Sequence, residues 1–157
     1  MKAIFAASAT LTCLIAAPVL AQDLQGDPAE GEQLFQRQCI TCHVVVNDEG
    51  ETLAGRNART GPNLYNVTER PAGTGALASG RDFRYSRGFE MVAEQGVEWT
   101  EENFVAYVQD PTAWLREMTD SNRVRGSMTW QVRSEEEAYH LYAYLKSLSG
   151  GEGDAES

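Results

Sequence analysis

Cys39-Ile40-Thr41-Cys42-His43 is the feature that most narrows what this 157-residue chain can become. Two thiols separated by two residues, with an imidazole directly after, form the C-x-x-C-H signature of c-type haem attachment. Each thiol can add to one vinyl group of the porphyrin, and the next side chain then stands where it can ligate iron. Two other chemistries use a similar spacing. A thioredoxin-like redox pair wants a βαβ setting, which the surrounding sequence lacks. A four-ligand zinc site needs two further donors, and the other histidine, His140, lies far along the chain.

Covalent haem attachment of this kind goes with export, and the N-terminal residues carry that pattern. Lys2 is followed by an apolar run from Ala3 to Leu20, and Val19-Leu20-Ala21 supplies small residues for cleavage. These residues predict a cleaved secretory signal over 1–21 and a mature chain from Gln22. A retained membrane anchor is the competing reading. About 20 apolar residues span a bilayer, but Ser8, Thr10, Thr12 and Pro18 interrupt this run. Cys13 follows Thr12 rather than the small residue of a lipoprotein site, so lipidation is not expected. Lys2 is the one charged residue removed, which takes the formal net charge from −10 to −11 and leaves two cysteines. A chain this acidic does not neutralise phosphates, so nucleic acid is not an expected partner.

The remainder reads as one mostly α domain over 22–149. Asp27 is placed to cap a helix, with Pro28 at its first position, Glu30 in its first turn and Leu34 and Phe35 on its apolar face. That helix runs into the C-x-x-C-H motif. From Val44 to Tyr65 the chain is loop-like and holds Gly61-Pro62-Asn63-Leu64-Tyr65; a second glycine-rich loop covers Pro71 to Gly80. Its Gly73-Thr74-Gly75 lacks the rest of a phosphate-binding fingerprint and reads as a turn. A short helix is predicted from Arg87 to Gln95. Thr100 caps the next, with Glu101 and Glu102 on its dipole and Phe104, Val105, Tyr107 and Val108 as the buried stripe. Asp110-Pro111 ends it and starts another through Trp114 and Leu115. Ser134 and Glu137 form a capping box for the last helix, where Ala138, Leu141, Leu145 and Leu148 recur at helical spacing and Gly150 closes it. Residues 150–157 read as a flexible acidic tail. No repeats and no strands are expected.

Met91, Met118 and Met128 compete for the second axial position on the iron. The first two fall in predicted helices, where a packing role is commoner. Met128 lies in the loop Gly126-Ser127-Met128-Thr129-Trp130, from which it either reaches across a haem or fills a gap.

From Gly26 to about Ser149 the chain resembles class I cytochrome c, in particular the bacterial cytochromes c2 and c-550. The matching residues are Gly31, Phe35, Cys39 to His43, Thr60 to Tyr65, Arg70, Phe83, Tyr85, Trp99, Tyr107, Asp110-Pro111, Met128 and Leu141-Tyr142-Ala143-Tyr144-Leu145. The resemblance implies a single-domain fold with helices wrapped around one covalently bound haem c, His43 and Met128 being the iron ligands. It implies that the Pro62 carbonyl accepts a hydrogen bond from His43, that Tyr107 lies near the Met128 sulfur, and that Arg70, Tyr85 and Trp99 meet the haem propionates. Gly31 and Phe35 are implied to pack the first helix on Leu141 and Tyr144 of the last. The chain departs from its family at Ser127, where relatives commonly carry lysine, and at Trp130, where phenylalanine is frequent. Lys146 is the one lysine beyond the signal.

Iron held by His and Met has both axial positions filled by protein, which suits electron cycling and a raised reduction potential. The expectation is therefore a carrier and not an enzyme. A haem peroxidase or a ligand-binding haem protein would need an open iron or a second haem, and a four-helix c′ cytochrome would carry its motif near the C-terminus. The resemblance implies a periplasmic one-electron carrier between a cytochrome bc1 complex and a photosynthetic reaction centre, a terminal oxidase, or both. The alternative is a dedicated donor to another periplasmic redox enzyme. A monomer with transient docking is expected, steered by a positive ring of Arg37, Arg56, Arg59, Arg123, Arg125, Arg133 and Lys146. Ordinary solvated charges are the plainer account of each member.

Overall fold

In the computed structural model, which describes residues 25–150, the first element is α1, Pro28–Gln38. The Asp27 carboxylate accepts the Ala29 N–H at 2.8 Å, so the predicted cap and the proline at the first helical position both form. The predicted signal over 1–21 and the tail beyond Gly150 lie outside the described residues.

Three further predicted helices follow: α2 (Arg87–Glu94), α3 (Glu101–Gln109) and α4 (Pro111–Thr119). The Thr100 hydroxyl accepts the Asn103 N–H at 3.2 Å at the start of α3. Asp110 closes α3 and caps α4, its carboxylate accepting from Thr112 N–H at 3.2 Å and Ala113 N–H at 2.9 Å. One residue thus fixes the corner between two helices.

The last helix, α5 (Glu135–Ser147), corrects one detail of the sequence reading. Ser134 accepts the Glu137 N–H at 3.3 Å, which is half of a capping box. The Glu137 carboxylate does not complete it, because it accepts a hydrogen bond from the Gln38 amide at 2.9 Å. Gly150 stands beyond the helix end at Leu148 and donates its N–H to Asn66 Oδ1 at 2.8 Å.

The sequence offered no strands, yet a small antiparallel pair forms: β1 (Val45–Val46) and β2 (Thr52–Ala54), with an irregular register. Side chains hold it in place. Asn47 Oδ1 accepts the Glu51 N–H at 2.8 Å, closing the turn. Asn63 pairs with both backbone groups of Val46, donating at 2.7 Å and accepting at 2.9 Å. This ties the hairpin to the loop that carries Pro62. A single 3-10 turn, Val67–Glu69, was also not foreseen.

α1 crosses α5 at Gly31, where a Cβ would stand 2.6 Å from Tyr144 Cβ, and Phe35 meets the Tyr144 ring at 5.7 Å. The predicted packing of the terminal helices therefore forms. The 3-10 turn joins α5 through an ion pair between Glu69 and Lys146. That hydrogen bond is the main reason the Glu69 carboxyl titrates below its usual range. A depressed folded pKa adds stability above the unfolded pKa, and the gain is lost as pH falls through the folded value. Both side chains are about two-fifths exposed, so the pair is worth under about 1 kcal/mol. Lys146→Met is expected to lower the urea midpoint slightly at pH 7, with the gap from the parent closing below about pH 4.

Candidate functional site

The haem motif is a continuation of α1 by one tight turn. Cys39 N–H bonds to Phe35 O at 2.9 Å, and Cys42 and His43 N–H both bond to Cys39 O, at 3.0 and 2.9 Å. Both thiols are free, with no disulfide between them. Burial, and then the neighbouring Cys42, push the Cys39 thiol up to about 12. A redox-active pair needs the reverse, a thiol lowered toward thiolate. The order of elements among the described residues, five helices and one antiparallel pair, also lacks the βαβ setting that the thioredoxin-like reading needs. Zinc is no better served, since no group of three His, Cys, Asp or Glu converges among the described residues.

His43 Nδ1 lies 3.0 Å from the Pro62 carbonyl oxygen. A carbonyl can only accept, so the proton sits on Nδ1 and the lone pair on Nε2 is left for a metal. Burial lowers the His43 pKa, against the opposing pull of Pro62, and keeps the imidazole neutral. Gly61 makes the contact possible. A Cβ there would lie 2.6 Å from Nδ1 and 2.9 Å from Nε2 of the ring, while Gly61 N–H bonds to Cys42 O at 2.8 Å. The glycine lets the loop backbone lie directly on the imidazole.

Next to this ring opens a cavity of about 380 Å³, within the usual range for a ligand site. Its walls include Cys39, Cys42, His43, Pro62, Arg70, Tyr85, Trp99, Tyr107 and Met128. Every site residue named from the sequence is brought to one space. Met91 and Met118 pack against the core and take no part in the wall.

The polar fittings of the cavity suit a group with buried acids. Arg70 donates to Asn63 O at 2.9 Å, and its guanidinium lies so close to Gly75 that a Cβ there would stand 2.5 Å from both terminal nitrogens. The Tyr85 hydroxyl accepts the Gly75 N–H at 3.0 Å, leaving its own proton free to donate. A cation and a hydroxyl on a mainly apolar wall are what a desolvated carboxylate requires. Burial, and then Tyr85, raise the Tyr107 pKa, so that hydroxyl stays protonated. Two thiols, a neutral imidazole, a thioether and this polar pair fit a covalently attached haem.

Sequence reasoning missed Phe89. It sits among Tyr85 at 5.3 Å, Tyr107 at 5.2 Å, Trp114 at 6.2 Å and Trp99 at 6.3 Å, and lines the cavity itself. Trp99 and Trp114 stack behind it at 5.1 Å, and the buried Tyr142 hydroxyl holds Trp99 O at 3.1 Å. The available signal was the Phe89 and Val92 pair at helical spacing in α2. The six arginines of the predicted ring are all exposed and make no ion pair among the described residues, whereas Lys146 is taken up by Glu69.

The family model for cytochrome c matches residues 28–149. The cytochrome c2 of Rhodovulum adriaticum is 56% identical over 126 residues, covering 80% of this chain and 95% of that one. The cytochrome c2 of Cereibacter sphaeroides is 45% identical over 150 residues, covering 95% and 98%. The solved structure of cytochrome c2 from Rhodobacter sphaeroides aligns with a TM-score of 0.72 at 45% identity, over 78% of this chain and 95% of that chain. The chain belongs to the cytochrome c family. Within that family it is a class I c-type cytochrome close to the cytochromes c2, and its cofactor is one covalently bound haem c.

Proposed function

We propose that this chain is a periplasmic one-electron carrier of the cytochrome c2 kind, passing electrons from a cytochrome bc1 complex to a photosynthetic reaction centre or a terminal oxidase. The observation that carries the reading is the shared cavity: two free thiols, a neutral imidazole with Nε2 available and the Met128 thioether all border it. Bound haem supplies the couple between ferrous and ferric iron. Cys39 and Cys42 would hold it covalently, and His43 and Met128 would be the protein ligands of its iron. Pro62 fixes the tautomer and orientation of His43 through its carbonyl. Arg70, Tyr85 and Trp99 would meet the haem carboxylates, and Tyr107, which lines the same cavity as Met128, would lie near its sulfur. Two protein ligands would leave oxygen or peroxide no open position, which favours a carrier over a peroxidase. Export through a cleaved signal at 1–21, with 22–149 as the working domain, completes the proposal.

Transient docking gains from charge, and six exposed arginines on an acidic molecule are available to steer it. The screening length falls from about 30 Å at 0.01 M salt to about 8 Å at 0.15 M. Stopped-flow reduction by purified bc1 complex and flash-induced oxidation by reaction centres are expected to slow on the order of tenfold across that range. Rates indifferent to salt would remove the steering. Failure of both partners to exchange electrons with the holoprotein would sink the assignment.

A further inference from the structure

The 15-residue segment 120–134 between α4 and α5 carries Met128 with neither helix nor strand of its own. It is anchored at Gly126, whose N–H bonds to Thr112 Oγ1 at 3.1 Å, and at Val132, whose N–H bonds to Val108 O at 2.9 Å. Between those anchors one hydrogen bond is formed among the described residues: the Trp130 indole N–H donates to Gln38 Oε1 at 3.1 Å. Trp130 is 53% exposed, the one large apolar side chain so exposed among the described residues. Burial alone therefore does not hold it.

The chemistry of the neighbours makes the link directional. An indole can only donate and a carboxylate can only accept. The Gln38 amide meets both needs, accepting from Trp130 and donating to Glu137 at 2.9 Å. Gln38 is the last residue of α1, directly before Cys39, and Glu137 lies in the first turn of α5. The same link accounts for two oddities of the chain: a tryptophan at the cavity mouth, and a glutamate that leaves its own capping box.

We infer that Trp130, Gln38 and Glu137 form a clamp that fastens the Met128 loop to the two terminal helices and sets how often Met128 leaves the iron. The inference rests on Met128 being the axial ligand. All three act as positioning residues, through the loop.

The test uses ferric holoprotein mixed with saturating imidazole, so that loss of the far-red methionine–iron band reports the rate of loop opening. Trp130→Phe and Gln38→Leu are each expected to raise that rate roughly threefold to tenfold, the worth of one hydrogen bond. The double variant is expected to be no faster than the faster single one, because both remove the same link. Glu137→Gln keeps an acceptor for the Gln38 amide and should stay near the parent rate, while Glu137→Ala should speed opening. Urea midpoints within error of the parent would separate the clamp from general destabilisation. Unchanged opening rates in Trp130→Phe and Gln38→Leu, or rates that multiply in the double variant, would overturn the clamp while leaving the ligand assignment intact. A parent protein without the far-red band would overturn the ligand assignment, and the clamp with it.

Discussion

Met128→Ala is expected to abolish the far-red band of the ferric holoprotein and to lower its reduction potential by on the order of 0.2 V, within the roughly 0.8 V that axial ligands span. As an iron ligand the sulfur would be soft and neutral and would favour ferrous iron; alanine would leave its place to water or to a harder donor. The variant should also bind imidazole or cyanide rapidly, because nothing from the protein has to leave first. Met91→Leu and Met118→Leu serve as controls, since both side chains pack against the core and neither lines the cavity. They should keep the band. A band that survives in Met128→Ala would mean another residue supplies the sulfur, and the His43/Met128 reading would be wrong. Spectra and potentiometric titration of the three variants decide it.

Helix ends were legible in the sequence because capping is local. Asp27, Thr100, Asp110 and Ser134 each reach an N–H two or three residues ahead. Nothing distant is needed to predict such a bond. The hairpin was hidden for the opposite reason. Strands of two and three residues are too short to show alternation, and Asn63 holds them from 17 positions away. Asparagine in a loop ordinarily signals a turn, so its side chain gave no hint of a backbone mimic.

The site divides in the same way. Cys39, Cys42 and His43 are contiguous and were readable from one motif, whereas Arg70, Tyr85, Trp99 and Tyr107 became site residues through family resemblance. Composition alone would have left those aromatics as core. Phe89 belonged to neither group, and its place depends on how α2 meets Trp99, Tyr107 and Trp114 in three dimensions. Glu137 shows the limit of local rules most directly. Its spacing from Ser134 satisfies a capping box, but the Gln38 amide, 99 positions away, takes the carboxylate instead.

Gly31→Ala sets two known magnitudes against each other. In a helix interior, alanine is favoured over glycine by about 1 kcal/mol, so propensity alone predicts a more stable protein. Packing predicts the reverse. A Cβ at Gly31 would overlap the His140 carbonyl oxygen and lie 2.6 Å from Tyr144 Cβ and 2.7 Å from the His140 carbonyl carbon. Backbone and Cβ atoms have no rotamer to escape into, so the helices themselves must move apart. Overpacking of this kind typically costs about 1–3 kcal/mol, and a rigid helix crossing belongs at the upper end. The net expectation is a loss of about 2 kcal/mol, or roughly 5–10 °C in Tm. The damage should reach the site too, because α1 ends at Gln38, directly before Cys39, while Leu141 and Leu145 of α5 line the cavity. Glu32→Ala, on the exposed face of the same helix, should stay within about 0.5 kcal/mol of the parent. If Gly31→Ala melted at or above the parent temperature, the helix crossing would have room to spare, and glycine there would owe its place to something other than close approach.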